Sequence, residues 1–510
     1  MATSSFNSAL FMIVSRFLSM FIGIAGIPIL LTCLGRDNFS SWAILLGGSV
    51  IFYVLEMGMT PTVVKFIKEA EYKNHSTQVS HILSNAVVLI SIVFIAGFMI
   101  FILIVKPVAA FLNLPDTEMF SAASLLLFVY GAVTACSVLR VGVNTLHAAE
   151  MFDMVAVISL IHSLIPNLVS WIAAYCWKRL DLVILSFWVC QILVLFAAQY
   201  LAKRIIPWKF KVSSVNINSM KSMLLHGFNI QFNDLSHFFN FQFDKMIIAG
   251  VVGISEVAHY EIGSRAGMAL RSLCSSGLGT FLPSATAQYV SGADIWNSYL
   301  NLTRSAVHTI ILFLLLPLIV SPIFLFAWVG QIGYHGRWVF MFLTIGISFG
   351  VLIIPVSIFV QAMGRTIMET RFAVCSIILN VVLSLTLVQF WGKEGAAAGT
   401  GISMSLAGLG YIYAFHRIHK KKLVDTLKSL TGQFWPFIPI CIIWVGLEIL
   451  IEPLVISSRW YMAPASVGLY LSCFFTLLIT YGYTGRFSSS EKELIGRVKG
   501  FKWIADLSGR

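Results

Sequence analysis

Residues 82–105 read ILSNAVVLISIVFIAGFMIFILIV, and no acid or base interrupts the run. A helix needs about 20 apolar residues to cross the hydrocarbon core of a bilayer, so this stretch alone reads as a membrane span. The rest of the chain repeats the pattern. Hydrophobic residues make up 58% of the 510 and charged residues 11%, with a mean hydropathy of +0.87. A water-soluble surface cannot be assembled from that composition, which excludes a cytosolic enzyme. The formal net charge of +12 then points to a membrane surface as its partner rather than nucleic acid.

Working outward, long apolar segments broken by Gly, Pro and charge place fourteen helices, at 10–34, 39–60, 82–105, 119–139, 152–176, 182–202, 221–249, 255–285, 305–329, 338–361, 372–390, 396–416, 433–451 and 462–485. The eighth is the most diluted, by Glu261, Arg265 and Arg271. Basic residues collect in cytoplasmic segments of membrane proteins. With the N-terminus inside, 23 of the 34 Lys and Arg fall in cytoplasmic segments, 7 in outer loops and 4 (Arg16, Lys245, Arg265, Arg271) within helices. That asymmetry predicts both termini in the cytoplasm and an even number of spans. Helix 1 is of full spanning length and carries Arg16 with no suitable small-residue cleavage site, so it reads as a retained signal anchor. The eight cysteines, at 33, 136, 176, 190, 274, 375, 441 and 473, include no C-x-x-C pair and read as small core residues.

The basic stretch from Lys203 to Lys221, with Pro207 and several Ser and Asn, separates the first twelve helices into two groups of six. A weak repeat agrees with it. Leu34-Gly35 is followed by Trp42 seven residues after the Gly, and Val252-Gly253 by Tyr260 at the same spacing, an offset of 218 residues. Six helices return a chain to the side where it began, so the repeats are parallel. The expected organisation is an N-terminal six-helix bundle at 1–205, a cytoplasmic linker at 206–220, a second bundle at 221–420, two additional helices at 421–485 and an amphipathic cytoplasmic tail at 486–510.

Charged and polar groups inside a span are costly and tend to face protein or water. Asn229, Asn233, His237, Asn240 and Asp244 on helix 7 are spaced by 4, 4, 3 and 4, one stripe of a helix. It faces either a water-filled lumen or polar groups on neighbouring helices. At about 1.5 Å of rise per residue, Arg16, Glu56 and Arg271 fall in the cytoplasmic half, Asp234, His237 and Arg265 near the middle, and Asp244, Lys245 and Glu261 toward the outside. Glu261 and Arg265 stand four apart with the acid first, the favourable order for a helical ion pair, and Arg16 is also placed to neutralise Glu56. In the tail, Leu494, Ile495, Val498, Phe501 and Ile504 form an apolar stripe flanked by Lys492, Arg497, Lys499 and Lys502. It suits either the anionic inner leaflet or the protein's own loops.

Three motifs carry a resemblance. Phe243-Asp244-Lys245-Met246-Ile247-Ile248-Ala249-Gly250, followed by Val252-Gly253 and Tyr260, resembles an Asp-basic-apolar run before a Gly in polysaccharide exporters of the MATE-like (MOP) superfamily, and within it the Wzx-type flippases of lipid-linked O-antigen or capsule units. Leu34-Gly35 to Trp42 and then Glu56-Met57-Gly58-Met59 looks like the equivalent in the first half, where that family has acid-Leu-Gly-Leu at the end of helix 2. Gly392 to Ser403, with Gly395-Ala396-Ala397-Ala398, is similar to the family's Gly-Ala-Ala start of helix 12. The resemblance spans residues 7–420.

The fourteen apolar segments and the resemblance together imply an all-α integral membrane protein of about 14 transmembrane helices, two parallel six-helix bundles around a central lumen plus two C-terminal helices, where the simplest members of the family have twelve. The resemblance also implies a flippase in the bacterial cytoplasmic (inner) membrane, working by alternating access and needing no cofactor. The implied substrate is an oligosaccharide on a polyprenyl diphosphate, met by Arg16, Arg265 and Arg271 at the diphosphate and by Asn229, Asn233, His237 and Asn240 at the sugar. Glu56, Asp234 and Asp244 are the candidates for coupling to an ion gradient, and the implied partners are membrane lipid and the assembly machinery, including a polysaccharide polymerase. The nearest rival is a multidrug exporter of the same superfamily. A membrane glycosyltransferase or polymerase would need a sizeable outer loop, and the longest outer connector, Lys106 to Glu118, is short for an active site.

Overall fold

A computed structural model of the chain describes residues 2–72, 78–434 and 459–483. All regular structure among them is helical. The chain begins with α1 (Ala2–Val54), α2 (Met59–Tyr72), α3 (Gln78–Phe111), α4 (Ala122–Ala148), α5 (Phe152–Trp177) and α6 (Leu180–Ile205). It continues with α7 (Ile217–Phe241), α8 (Phe243–Val251), α9 (Ile254–Leu278), α10 (Leu282–Val290), α11 (Ile295–Ile310), α12 (Leu316–Val329) and α13 (Gln331–His335). The last elements are α14 (Arg337–Leu352), α15 (Ile354–Ala362), α16 (Thr366–Ile418), α17 (Leu423–Phe434) and α18 (Arg459–Tyr483).

Eight segments among the described residues are long and apolar enough to cross a membrane, and two of them, Leu18–Tyr72 and Thr366–Ile418, run to 55 and 53 residues. At about 1.5 Å per residue each of those is long enough for two crossings. The backbone leaves helical geometry where the sequence places the turns, at Gly35 (φ 76°) in α1 and at Trp391 and Gly392 (φ 55°) in α16. Positive φ suits glycine because it has no Cβ to clash. The outer face of α3 shows why the chain needs lipid, since Ile95, Met99, Ile100 and Leu103 are each more than half exposed. The protein is therefore a multi-pass membrane protein. Predicted helix 13 and the amphipathic tail at 486–510 lie outside the described residues, while predicted helix 14 corresponds to α18.

Two compact units divide the chain, Met1–Ala258 and His259–Arg510, so the boundary falls inside α9. Within the first unit, α1 packs on α5, α5 and α4 on α6, and α2 and α3 on α4, while α7 rests on α1, α2 and α3. The Lys203–Lys221 stretch is strapped to the start of α3. Asn85 donates to Ser214 O (3.1 Å) and accepts from Asn216 N (2.8 Å), while Ser80 and Ser84 accept from the amides of Lys209 and Lys211. Within the second unit, α14 lies along α16, where a Cβ on Gly346 would come 2.7 Å from the Cα of Gly401. Ala396, Ala397 and Ala398 are buried just after the kink of α16, where Ser384 donates to Ala396 O (3.2 Å). Cys136 and Cys274 are core residues as expected, but Cys176 and Cys375 are exposed among the described residues.

Candidate functional site

A cluster of charged and polar side chains in the first unit forms where α1 ends. Leu55 to Gly58 make a turn in which Met57 (φ 53°) and Gly58 (φ 59°) are both left-handed. The turn leaves Glu56 pointing at α4. The hydroxyls of Thr60 and Ser137 donate to Glu56 Oε1 (2.9 Å) and Oε2 (3.3 Å), and Asn144 donates to Thr60 Oγ1 (3.3 Å). Arg140 Nη1 stands 3.6 Å from Glu56 Oε2, and its guanidinium lies over the Tyr53 ring, 5.0 Å from the centroid.

Arg140 is the residue that sequence reasoning missed. The sequence reading ends the fourth helix at 139 and assigns Arg140 to a cytoplasmic connector, whereas α4 continues to Ala148. The charge stays inside the helix because Glu56 neutralises it. A signal was available in the spacing, since Ser137, Arg140 and Asn144 recur at three and four and share one helix face. Glu56, read from sequence beside Arg16, is thus partnered by Arg140. The side chain of Arg16 lies outside the described residues.

The same turn holds α7. Gly58 N donates to Gln231 Oε1 (2.6 Å), and a Cβ on Gly58 would come 2.6 Å from Gly227 O. The polar stripe of helix 7 is interrupted at Gln242, so Asp244 belongs to α8. Half-buried His237 packs on Phe241 with ring centroids 5.2 Å apart. Buried Asn240 donates to Ser236 (3.2 Å), and its Oδ1 accepts no hydrogen bond among the described residues. Asp244 and Lys245 are buried, and Lys245 Nζ donates to Gln242 Oε1 (2.8 Å). Gly47 and Gly48 of α1 give Gln242 and Met246 the room to approach. The side chains of Asn229, Asn233 and Asp234 lie outside the described residues.

At the Gly35 and Gly253 turns, Arg36 Nε donates to Ser255 O (2.9 Å), Arg36 Nη2 pairs with Glu256 (2.6 Å), and Ser255 donates its hydroxyl to Asp37. In the second unit, Glu261 is fully buried and paired with Arg265 at 2.5 Å, the four-residue pair expected from the sequence. Half-buried Arg271 lies six residues, about 1.7 turns, beyond Arg265 along α9.

Three solved structures of transporters share this multi-pass helical fold, kinked at glycines. These are the lipid II flippase MurJ in an inward closed conformation (TM-score 0.69, 12% identity, 93% of this chain and 99% of that one), a multidrug resistance MATE family transporter of the MOP superfamily in an inward-facing conformation (0.63, 11%, 79% and 95%), and a MOP superfamily transporter from Pyrococcus furiosus (0.56, 12%, 81% and 96%). Residues 5–287 match the family described as polysaccharide biosynthesis protein. The chain belongs to that family. No curated protein sequence matches it significantly.

Proposed function

We propose that the protein is a flippase that carries a polyprenyl-diphosphate-linked oligosaccharide, the repeat unit of an O-antigen, capsule or exopolysaccharide, from the cytoplasmic to the outer leaflet of the bacterial inner membrane. The observation that carries this reading is that a chain of the polysaccharide biosynthesis family, in a transporter fold, places buried side-chain amides and arginine-acid pairs inside its helical units. Such a substrate needs lipid for its tail, cations for its diphosphate and amides for its sugar. Glu56 and Glu261 each have an arginine partner, which disfavours a cationic drug as the cargo.

In this reading the halves are 1–205 and 221–420, joined by a cytoplasmic linker at 206–220, with both termini inside. Arg16, Arg265 and Arg271 receive the diphosphate, Asn229, Asn233, His237 and Asn240 the sugar, and Glu56, Asp234 and Asp244 couple transport to an ion gradient. Deleting the gene tests the function: a lipid-linked oligosaccharide should accumulate on the inner leaflet and surface polysaccharide should fall. Normal surface polysaccharide with altered drug sensitivity would instead support the multidrug reading.

A further inference from the structure

The exposed face of α6 ends in an arginine. Val189, Leu193, Phe196 and Tyr200 are exposed and spaced by 4, 3 and 4, one side of a helix, while Trp188, Leu195, Ala198 and Ala202 on the other side are buried. In a helix long and apolar enough to span a bilayer, that exposed side meets lipid. Arg204 continues it four residues further on. Its guanidinium lies over the Tyr200 ring, 4.6 Å from the centroid, and donates to the Tyr200 hydroxyl. The stretch that follows stays close. Lys203 Nζ stands 5.6 Å from the ring centroid of buried Trp208. Ser80 and Ser84 of α3 hold the amides of Lys209 and Lys211, and Phe210 between them is half exposed.

Four exposed cations thus stand at one end of a spanning helix, Lys203, Arg204, Lys209 and Lys211, and none pairs with a carboxylate among the described residues. On α2 the opposite holds, because Lys65 lies 3.7 Å from Glu69 and Lys68 lies 3.0 Å from Glu150. The dipole of α6 favours Lys203 and Arg204 in its last turn, but it does not reach Lys209 and Lys211. A general excess of basic residues in cytoplasmic segments accounts for the charge, but not for an apolar stripe that runs straight into it.

We propose that the end of α6 and residues 208–211 bind the headgroup of an anionic phospholipid, with one acyl chain along Val189, Leu193 and Phe196. The inference is independent of the cargo proposed above. It uses only the proposed topology, which puts this end at the cytoplasmic leaflet, where anionic lipids make the surface negative. A phosphodiester there meets the Arg204 fork, which binds two oxygens at once, with the Lys203 ammonium beside it. Tyr200 keeps the guanidinium at the level where hydrocarbon gives way to headgroups, and Phe210 adds an apolar contact at the same level. An acidic protein would satisfy the four charges but would leave the stripe unexplained. A lipid held there fastens the Lys203–Lys221 stretch from the bilayer side, as Ser80, Ser84 and Asn85 fasten it from α3.

The test uses the full-length protein in phosphatidylcholine nanodiscs containing a trace of phosphatidylglycerol or phosphatidylcholine with a diazirine on one acyl chain, and labelled peptides are read by mass spectrometry. Phosphatidylglycerol should label the segment from Val189 to Tyr200 about twentyfold more than phosphatidylcholine, since each of two basic residues near the surface is worth about fivefold. Lys203→Gln with Arg204→Gln should bring that preference near parity. Arg417→Gln with Lys420→Gln, which removes as much charge near the end of α16, should leave it unchanged. Equal labelling by both lipids in the wild type overturns the proposal and leaves the patch to an acidic protein. A preference that survives Lys203→Gln with Arg204→Gln overturns it too, and so does loss of the label to millimolar glycerol phosphate, which would make the site one for a free phosphate. Should the double variant fail to fold, salt decides. Sodium chloride at about 0.5 M screens exposed charges and should remove most of the wild-type preference, and a preference that salt leaves intact overturns the proposal.

Discussion

Ser255 donates a hydrogen bond to Asp37, and the two residues are 218 positions apart, the same offset that separates Gly35 from Gly253 and Trp42 from Tyr260. The paired helix starts of the sequence repeat therefore hold each other by equivalent residues. Arg36 reinforces the clasp through Ser255 O and Glu256. The proposed alternating-access cycle predicts that this clasp opens. Asp37→Cys with Ser255→Cys, in a background without other cysteines, should cross-link in membranes and stop export until reduced. Undiminished export by the cross-linked protein would show that the clasp is static.

The pairing of Arg140 with Glu56 predicts unequal effects on stability. Removing one partner leaves a charge in a poorly hydrated place, whereas removing both leaves none. Because Arg140 is partly exposed, the single change Glu56→Ala should cost about 1–3 kcal/mol, below the 3–5 typical of a fully buried pair. The double change Glu56→Gln with Arg140→Gln should recover much of that. Thermal unfolding of the purified variants measures it, and additive losses would mean the two side chains do not interact.

Gly227 and Gly131 form a matched pair of tests for the helix contact at the Glu56 turn. A Cβ on Gly227 would overlap the Met57 carbonyl oxygen, while one on Gly131 meets nothing within 4 Å. Gly227→Ala should sharply lower the folded yield. Gly131→Ala should be neutral or stabilising by up to about 1 kcal/mol, because alanine loses less backbone entropy in a helix. Equal yields from both would mean that α7 does not press on the turn.

Asn85 ties the Lys203–Lys221 stretch to α3 through two backbone partners, Ser214 and Asn216. Replacing it with alanine should cost about 1–3 kcal/mol locally, the penalty for buried groups left without a partner. Trypsin should then cut at Lys209 and Lys211 faster than in the wild type. It should do so only in inverted vesicles if the linker is cytoplasmic. Cleavage from outside intact cells would reverse the proposed topology.

The polar stripe of helix 7 predicts a labelling pattern. Single cysteines at Asn229, Asn233, His237 and Asn240 should react with a small polar thiol reagent, and a cysteine at Phe238, on the opposite face of α7, should not. Protection at all five positions would assign the stripe to helix contacts.

Much of the architecture was legible because the pieces that carry it are local. The turns at Gly35 and Gly392 coincide with the gaps between predicted helices, and the Glu261–Arg265 pair follows from helical spacing. The long apolar runs appear as helices of spanning length. The reading went wrong at Arg140, where a charge was taken to end a helix. It also could not show that α7 breaks at Gln242, since that break fits the close approach of α8 to Gly47 and Gly48.

The sequence by itself determined that this chain lies in a membrane, that it is helical and where it turns. Transfer of a side chain from water to lipid is set chiefly by that residue and its near neighbours, and the contributions add along a segment. Only the tertiary structure decided that Glu56 belongs with Arg140, that Gly58 and Gly227 meet, and that the Lys203–Lys221 stretch is fastened to α3. Those are properties of pairs far apart in the chain. Their energies exist only once packing has brought the partners within a few ångströms, and no count of residues along the sequence contains that distance.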